Sequence, residues 1–360
     1  MTSLPFRWSI GVLTLPQRDA YLRQLLASID RLDLPEPSEI VVVYNVTPDE
    51  RREAIEERIR GYSRLPVSVY FNRRDQSISG GRNFLLNLCR APLICFIDDD
   101  VTVHGDVFSV LEEALRDKPL SLVGLRSYNR DTDELFKPRP STPHVDHDGT
   151  RYMTVQGMLA AGYRDLLLDL GGFSPHRRFW GEWTELNLRL WRSGFPTGYQ
   201  MHGGYLRHWT DAAESPTRNK LGREAEVVWG LMCTALEYDA VDVSQATQTF
   251  WQLVEERYLA YSFGDQLSHR ALLSTVLSLM PRLTEAWGDL MRARAQAAEH
   301  PFQFKPFHPL ERVEVREVIH HARQAIRPYQ EAVWGGKRGR WGALRRPGPA
   351  KVLWRKLAGA

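Results

Sequence analysis

An uninterrupted apolar run, Leu93-Ile94-Cys95-Phe96-Ile97, ends without transition in three acids, Asp98-Asp99-Asp100. A short apolar run without alternation reads as a strand buried on both faces. Ionised side chains at its end repel one another unless a cation or a polar ligand neutralises them. In open α/β sheets the C-terminal edge of a strand is also where ligands bind. Hard divalent ions suit that edge, because Mg²⁺ or Mn²⁺ takes one or two carboxylates and fills its shell with substrate phosphates. The triplet predicts a site for a metal and a phosphorylated ligand. The plainer reading is an acidic loop after a strand.

The surrounding sequence alternates strand and helix signals. Residues 8–14 read as a strand, and Leu22, Leu25, Leu26 and Ile29 recur at helical spacing. Residues 39–44 form a near-continuous β-branched run, and Thr47-Pro48-Asp49-Glu50 is a capping box with proline at the first helical position, opening a helix to Gly61. A strand at 67–71 and a helix at 81–90 follow. This order predicts an α/β fold with a mostly parallel sheet flanked by helices and right-handed crossovers.

Beyond the acids, 106–116 reads as a helix, 121–126 as a strand, 128–150 as a Pro-, Asp- and His-rich loop, and 152–163 as strand-like. A helix starting near 186 stops at Gly194. From about 221 the pattern changes to long helical segments, at 224–238, 244–261, 270–279 and 313–326, the last after a Pro/Phe-rich linker. The expected organisation is a sheet domain over 1–215, a mainly helical region over 216–334 and a basic tail over 335–360.

A net charge of +3 is too small to imply nucleic-acid binding. Eight cations fall in the tail with no acid among them, which by composition reads as a solvated, disordered terminus. Their interleaving with Trp341 and Trp354 offers reversible peripheral attachment to a membrane as the second reading, although Pro347 and Pro349 forbid one continuous amphipathic helix. No stretch approaches the roughly 20 apolar residues of a membrane span, and Arg7 breaks any leader, so cytoplasmic residence is expected. Cys89, Cys95 and Cys233 show no metal-ligand spacing and read as buried free thiols.

Five motifs in order carry a family resemblance. They are Ser9-Ile10-Gly11-Val12-Leu13-Thr14, then Glu39 to Asn45, then Asn72 with Gly80-Gly81-Arg82-Asn83, then Phe96 to Asp100, and finally Gly171-Gly172-Phe173 with Phe179 to Leu190. Together they resemble the nucleotide-sugar glycosyltransferases of family 2, which have the GT-A fold, across roughly residues 8–211. The resemblance implies an inverting transfer of a sugar from a nucleoside-diphosphate donor to a hydroxyl of a saccharide, lipid-linked, natural-product or peptide acceptor. It implies Mn²⁺ or Mg²⁺ held by Asp100 with His208 as a further ligand. It places Thr14, Tyr44, Asn45, Arg82, Asp98 and Asp99 at the nucleotide and donor.

The sequence departs from the family pattern twice. Tyr44-Asn45 stands where an aspartate usually reads the nucleobase, and Glu182-Trp183 stands where a Glu-Asp pair usually carries the catalytic base. Glu182, with Glu185 as the second candidate, is therefore the expected base, and Trp180 and Trp183 are the expected acceptor platform. The competing reading is a non-catalytic nucleotide-sugar or glycan-binding module with a degenerate base site. A nucleotidyltransferase ranks lower, because Thr14-Leu15-Pro16-Gln17-Arg18 offers no glycine-rich phosphate loop.

Overall fold

The computed structural model describes residues 6–35, 37–46, 50–138, 144–209, 220–237, 246–261, 269–298 and 315–335. Thr47 to Asp49 of the expected capping box and nearly all of the basic tail lie outside the described residues.

The β-branched and apolar runs form four parallel strands, β1 (Trp8–Thr14), β2 (Ser38–Tyr44), β3 (Val67–Phe71) and β4 (Leu93–Asp98), in the order β3-β2-β1-β4. Ile10, Val12, Ile40, Val42, Leu93 and Ile94 have no exposed surface, and full burial of such a side chain contributes about 1.5–3 kcal/mol. Three helices connect these strands, α1 (Asp19–Ile29), α2 (Arg52–Arg60) and α3 (Ser77–Leu88). Leu22, Leu25, Leu26 and Ile29 of α1 are fully buried, as their spacing predicts. Helix α3 lies so close to β1 that a Cβ on Gly81 would come within 2.5 Å of Leu13 Cδ1. Only glycine fits there without a shift.

The second half of the sheet is mixed. After the acids come β5 (Val101–His104), α4 (Val107–Asp117), β6 (Leu122–Asn129), β7 (Leu135–Lys137), β8 (Val145–His147), β9 (Thr150–Tyr152) and β10 (Leu159–Tyr163). Then follow α5 (Arg164–Asp169), α6 (Glu182–Arg192) and β11 (Thr197–His208). Strand β10 runs antiparallel between β4 and β6, and β11 runs parallel to β6. Four sequence expectations change here: the helix expected from near 186 begins at Glu182, the strand-like stretch 152–163 divides into β9 and β10, and the remaining two concern the loop and the last strand. The stretch expected as a loop contains β7, which pairs with β6, and β8, which pairs with β9. Strand β11 was not expected, because its alternation is broken by His202, Gly203 and Gly204. It nonetheless spans 12 residues and carries β5 along its side.

The C-terminal helices are α7 (Lys220–Glu237), α8 (Ala246–Tyr261), α9 (His269–Leu279), α10 (Pro281–Ala298) and α11 (Val315–Trp334). Helices α7 to α10 form a second core around Trp229, Met232, Leu236, Val254, Leu272 and Leu290. Helix α11 instead returns to the first core, burying Val318, Ile319, Ile326 and Tyr329. Its Gln330 amide donates to the last carbonyls of α4, at Leu115, Arg116 and Lys118, groups that a helix end leaves without partners. The helical bundle is tied to the loop before α6 by Trp229 Nε1, which donates to the His176 carbonyl at 2.9 Å, and by the fully buried ion pair Arg177–Glu237. No helix among the described residues is long and apolar enough to cross a membrane. Cys89, Cys95 and Cys233 are buried free thiols.

Candidate active site

Strand order reverses between β1 and β4, whose C-terminal ends stand side by side with Leu13 opposite Asp98. A cleft of about 630 Å³ opens at that edge. Its sheet-side wall includes Thr14, Arg18, Asn45, Asp75, Arg82 and Asp98 to Asp100, and the remaining wall includes Phe179, Trp180, Gly222 and Glu226.

The triplet separates into three environments. Asp99 turns inward, only 4% exposed, and accepts from Thr14 Oγ1 at 2.6 Å and from Arg18 Nη2 at 2.6 Å. Burial pushes its carboxyl up to about 6, against the pull of Arg18. Asp100 also meets Arg18 Nη2, at 2.7 Å, and its Oδ1 lies 3.7 Å from His208 Nε2. Burial opposes its charge, but His208 and Arg18 outweigh that and hold its carboxyl below the usual carboxylate value. Asp98 is the most open of the three and accepts from Arg82 Nη2 at 3.0 Å.

The fold explains how His208 arrives at Asp100. Strand β5 begins directly after the triplet and pairs with β11 so that Val101 stands opposite His208. The Trp209 amide then donates to the Asp100 carbonyl at 3.0 Å. Phe136 of β7 stacks on the imidazole with centroids 5.0 Å apart, which holds the ring in place.

Asp100 and His208 together fit a divalent ion. Their 3.7 Å separation is wider than the roughly 3.0 Å between adjacent ligands of an octahedral shell with bonds of about 2.1 Å, so binding an ion would draw the two side chains together. Arg18 occupies only the other oxygen of Asp100. No group of three or more His, Cys, Asp or Glu side chains that could cage a metal occurs among the described residues, so oxygens from a ligand would have to supply the rest of the shell.

Thr14 and Asn45 line the cleft as expected. Asn45 is fixed from three sides: its amide donates to Asp75 Oδ1 and to the Ser77 carbonyl, each at 3.0 Å, while its Oδ1 accepts from Asn72. Ser77 has a left-handed backbone with φ 63°, a conformation costly for a residue other than glycine. That turn lets the Ser77 amide donate to Asp75 at 2.7 Å while its carbonyl serves Asn45. Arg82 also lines the cleft and is clamped by Asp98 and Glu182 with its guanidinium 4.9 Å from the Trp183 ring.

Four expected site residues stand elsewhere. Tyr44 is 1% exposed, stacks on Phe71 and donates its hydroxyl to Asp19, so its ring belongs to the core and cannot stack on a base. Trp183 is 6% exposed and packs edge-on against Phe96 and Phe173, so it supports Arg82 from behind and offers no acceptor platform. Glu185 points along α6 into a bidentate pair with Arg189 and does not reach the cleft. Burial opposes its charge, but Arg189 prevails and holds the carboxyl below its usual value. Glu182 is directed at Arg82, with 2.5 Å between Oε1 and Nη1, and does not line the cleft. It is a support for Arg82 rather than an exposed proton acceptor. Trp180 does line the cleft, half-buried beside Phe179.

Sequence reading missed Arg18, Asp75 and Glu226. Arg18 closes a short 3-10 turn after the first strand, in a sequence without phosphate-binding spacing, and Asp75 sits between unremarkable polar residues. Glu226 lies in α7, where nothing in its neighbourhood sets it apart from a solvated helical acid.

Residues 10–178 match the family model described as Glycosyl transferase family 2. No curated protein matches the chain in sequence. Among solved structures, residues 1–349 of TarS from S. aureus with UDP-GlcNAc share 15% identity, at TM-score 0.50, covering 93% of each chain. A mannosyltransferase from Pyrobaculum calidifontis with GDP-Man and Mn²⁺ shares 16% identity over 81% of this chain and 86% of its own, at TM-score 0.46. GalNAc-T7 with UDP, GalNAc and Mn²⁺ shares 13% identity, at TM-score 0.49. The match covers 69% of this chain and spans 55% of that longer one. At such identities the likeness to TarS speaks to the fold, which is GT-A-like.

Proposed function

We propose that this chain, with its match to the family-2 model over residues 10–178, moves a sugar from a nucleoside-diphosphate donor to a hydroxyl acceptor with inversion at the anomeric carbon. The observation that carries the reading is the convergence of Asp98 to Asp100, Arg18 and Arg82 on one cleft at the point where strand order reverses. Cations among carboxylates at that edge suit a pyrophosphate, which brings negative charge and gains more as the leaving group departs.

Asn45 and Asp75 hold the nucleoside end of the cleft. Asp75 accepts, as the N–H edge of uracil or guanine requires, and Asn45 is held rigid for the same ring. Asp98 receives hydroxyl hydrogen bonds from the ribose or the donor sugar. Arg18 and Arg82 face the diphosphate. They are oriented beforehand by Asp99 with Asp100 and by Asp98 with Glu182, so little reorganisation is needed when charge develops. Asp100 and His208 would hold Mn²⁺ or Mg²⁺, which when bound supplies Lewis-acid stabilisation of the leaving diphosphate. Trp180 and Phe179 offer apolar surface to the sugar rings.

Calorimetry with UDP and GDP, with and without Mn²⁺, tests the reading. Mn²⁺ should tighten the binding of the preferred nucleotide about tenfold or more in the natural chain, and Asp100→Ala should lose that gain. Donor turnover is then read with a panel of UDP- and GDP-sugars, beginning with UDP-GlcNAc. Absence of nucleotide binding would overturn the proposal, and binding without turnover of any donor would return the non-catalytic module.

A further inference from the structure

The cleft contains a carboxylate from the helical region that the family resemblance does not assign. Glu226 sits on α7, outside the segment matched to the family model, yet it lines the cleft with the sheet-edge acids. The residue is 7% exposed. Its Oε1 accepts from Arg282 Nη1 of α10 at 2.7 Å, whereas its Oε2 is buried with no hydrogen-bond partner among the described residues.

The helix face explains the placement. Gly222, Glu226 and Gly230 recur every four residues and so lie on one side of α7. Gly222 lines the cleft, and Gly230 lies against Trp180, close enough that a Cβ would come within 2.8 Å of the indole. The Glu226 side chain is thereby set beside the aromatic wall. Arg282 ties one oxygen, and the other is left buried without a donor among the described residues.

The remaining acids near the cleft are engaged differently. Asp99 and Asp100 share Arg18, Asp98 and Glu182 share Arg82, and Asp75 accepts from Asn45 and the Ser77 amide. A buried carboxylate oxygen without a donor is costly unless a ligand supplies one. An acceptor hydroxyl is such a donor.

We propose that Glu226 is the catalytic base of the transfer, an inference that rests on the glycosyltransferase reading. The acceptor O–H donates to Oε2, and its proton passes to the carboxylate as the acceptor oxygen bonds to the anomeric carbon. The bond from that carbon to the diphosphate oxygen breaks on the opposite side, and its electron pair leaves with the diphosphate. Configuration inverts, and the helical region supplies the acceptor half of the site. The Glu-Trp sequence at 182–183 then needs no base of its own.

The test compares full-length natural chain, Glu226→Gln, Glu226→Asp and Glu182→Gln with Mn²⁺, the UDP- and GDP-sugar panel and, as hydroxyl acceptors, water and a set of simple alkyl glycosides, reading release of nucleoside diphosphate beside UDP and GDP affinity. Glu226→Gln should lower turnover about 10²–10⁴-fold while nucleotide affinity stays within about twofold of the natural chain. Glu226→Asp should recover part of the rate, since it keeps the charge, and Glu182→Gln should weaken nucleotide binding together with turnover. Turnover by Glu226→Gln within about threefold of the natural chain would overturn the assignment, as would a loss of nucleotide affinity equal to the loss of rate. A natural chain that releases nothing from any donor would overturn the glycosyltransferase reading, and this assignment with it.

Discussion

The two walls of the cleft follow opposite electrostatic rules. On the sheet side, each acid of the triplet is matched to an arginine, with Arg18 spanning Asp99 and Asp100 and Arg82 spanning Asp98 and Glu182. On the helical side, Glu226 keeps one buried oxygen without a partner among the described residues, and its arginine is partly exposed. Every acid of the sheet wall is thus paired before any ligand arrives, yet two arginines against four carboxylates leave negative charge for a cation to offset, and the wall's stability depends on keeping both signs present. The helical wall holds back acceptor capacity that contributes little to folding. A site that binds an anion at one end and takes a proton at the other needs this division.

The sheet wall depends most on Arg18. Arg18→Met would leave Asp99 and Asp100 buried beside each other without their cation, and removing one partner of a buried ion pair typically costs about 3–5 kcal/mol. Chemical denaturation should show a loss of that size, and adding Asp99→Asn to the same chain should return a large part of it. A loss under about 1 kcal/mol would mean that the sheet wall does not rely on its internal ion pairs.

Packing behind the same wall supplies a smaller effect. Gly81→Ala would press a methyl group against Leu13 and to within 3.1 Å of Asn45 Oδ1. Overpacking of this kind costs about 1–3 kcal/mol. Because Asn45 is the side chain displaced, affinity for UDP or GDP should fall along with the melting temperature. Unchanged affinity in a destabilised variant would remove Asn45 from the nucleoside end.

The smallest expected change is on the opposite wall. Glu226→Gln should alter unfolding free energy by no more than about 1 kcal/mol, because a partly exposed ion pair contributes little and the substitution removes a charge from an unpartnered buried oxygen. Urea midpoints of this variant and Arg18→Met, measured side by side, give the contrast directly. A loss at Glu226 as large as that at Arg18 would make it a structural acid and erase the difference between the walls.

By itself the sequence determined the four parallel strands, their connecting helices and the position of the acidic triplet at a strand end. Those features are local. Apolar runs mark strands buried on both faces, and Leu22, Leu25, Leu26 and Ile29 mark one face of a helix, whatever the rest of the chain does. Tertiary structure decided which carboxylates are engaged and which is available. Arg18 and Asp99 are 81 residues apart, Arg82 and Glu182 are 100 apart, and Glu226 and Arg282 are 56 apart. It also decided that His208 meets Asp100, through the pairing of β5 with the unexpected β11, and that Tyr44 and Trp183 turn into the core. No spacing rule reaches across such separations, because an ion pair or a buried ring is chosen by where folded elements meet and not by the residues beside it in the chain.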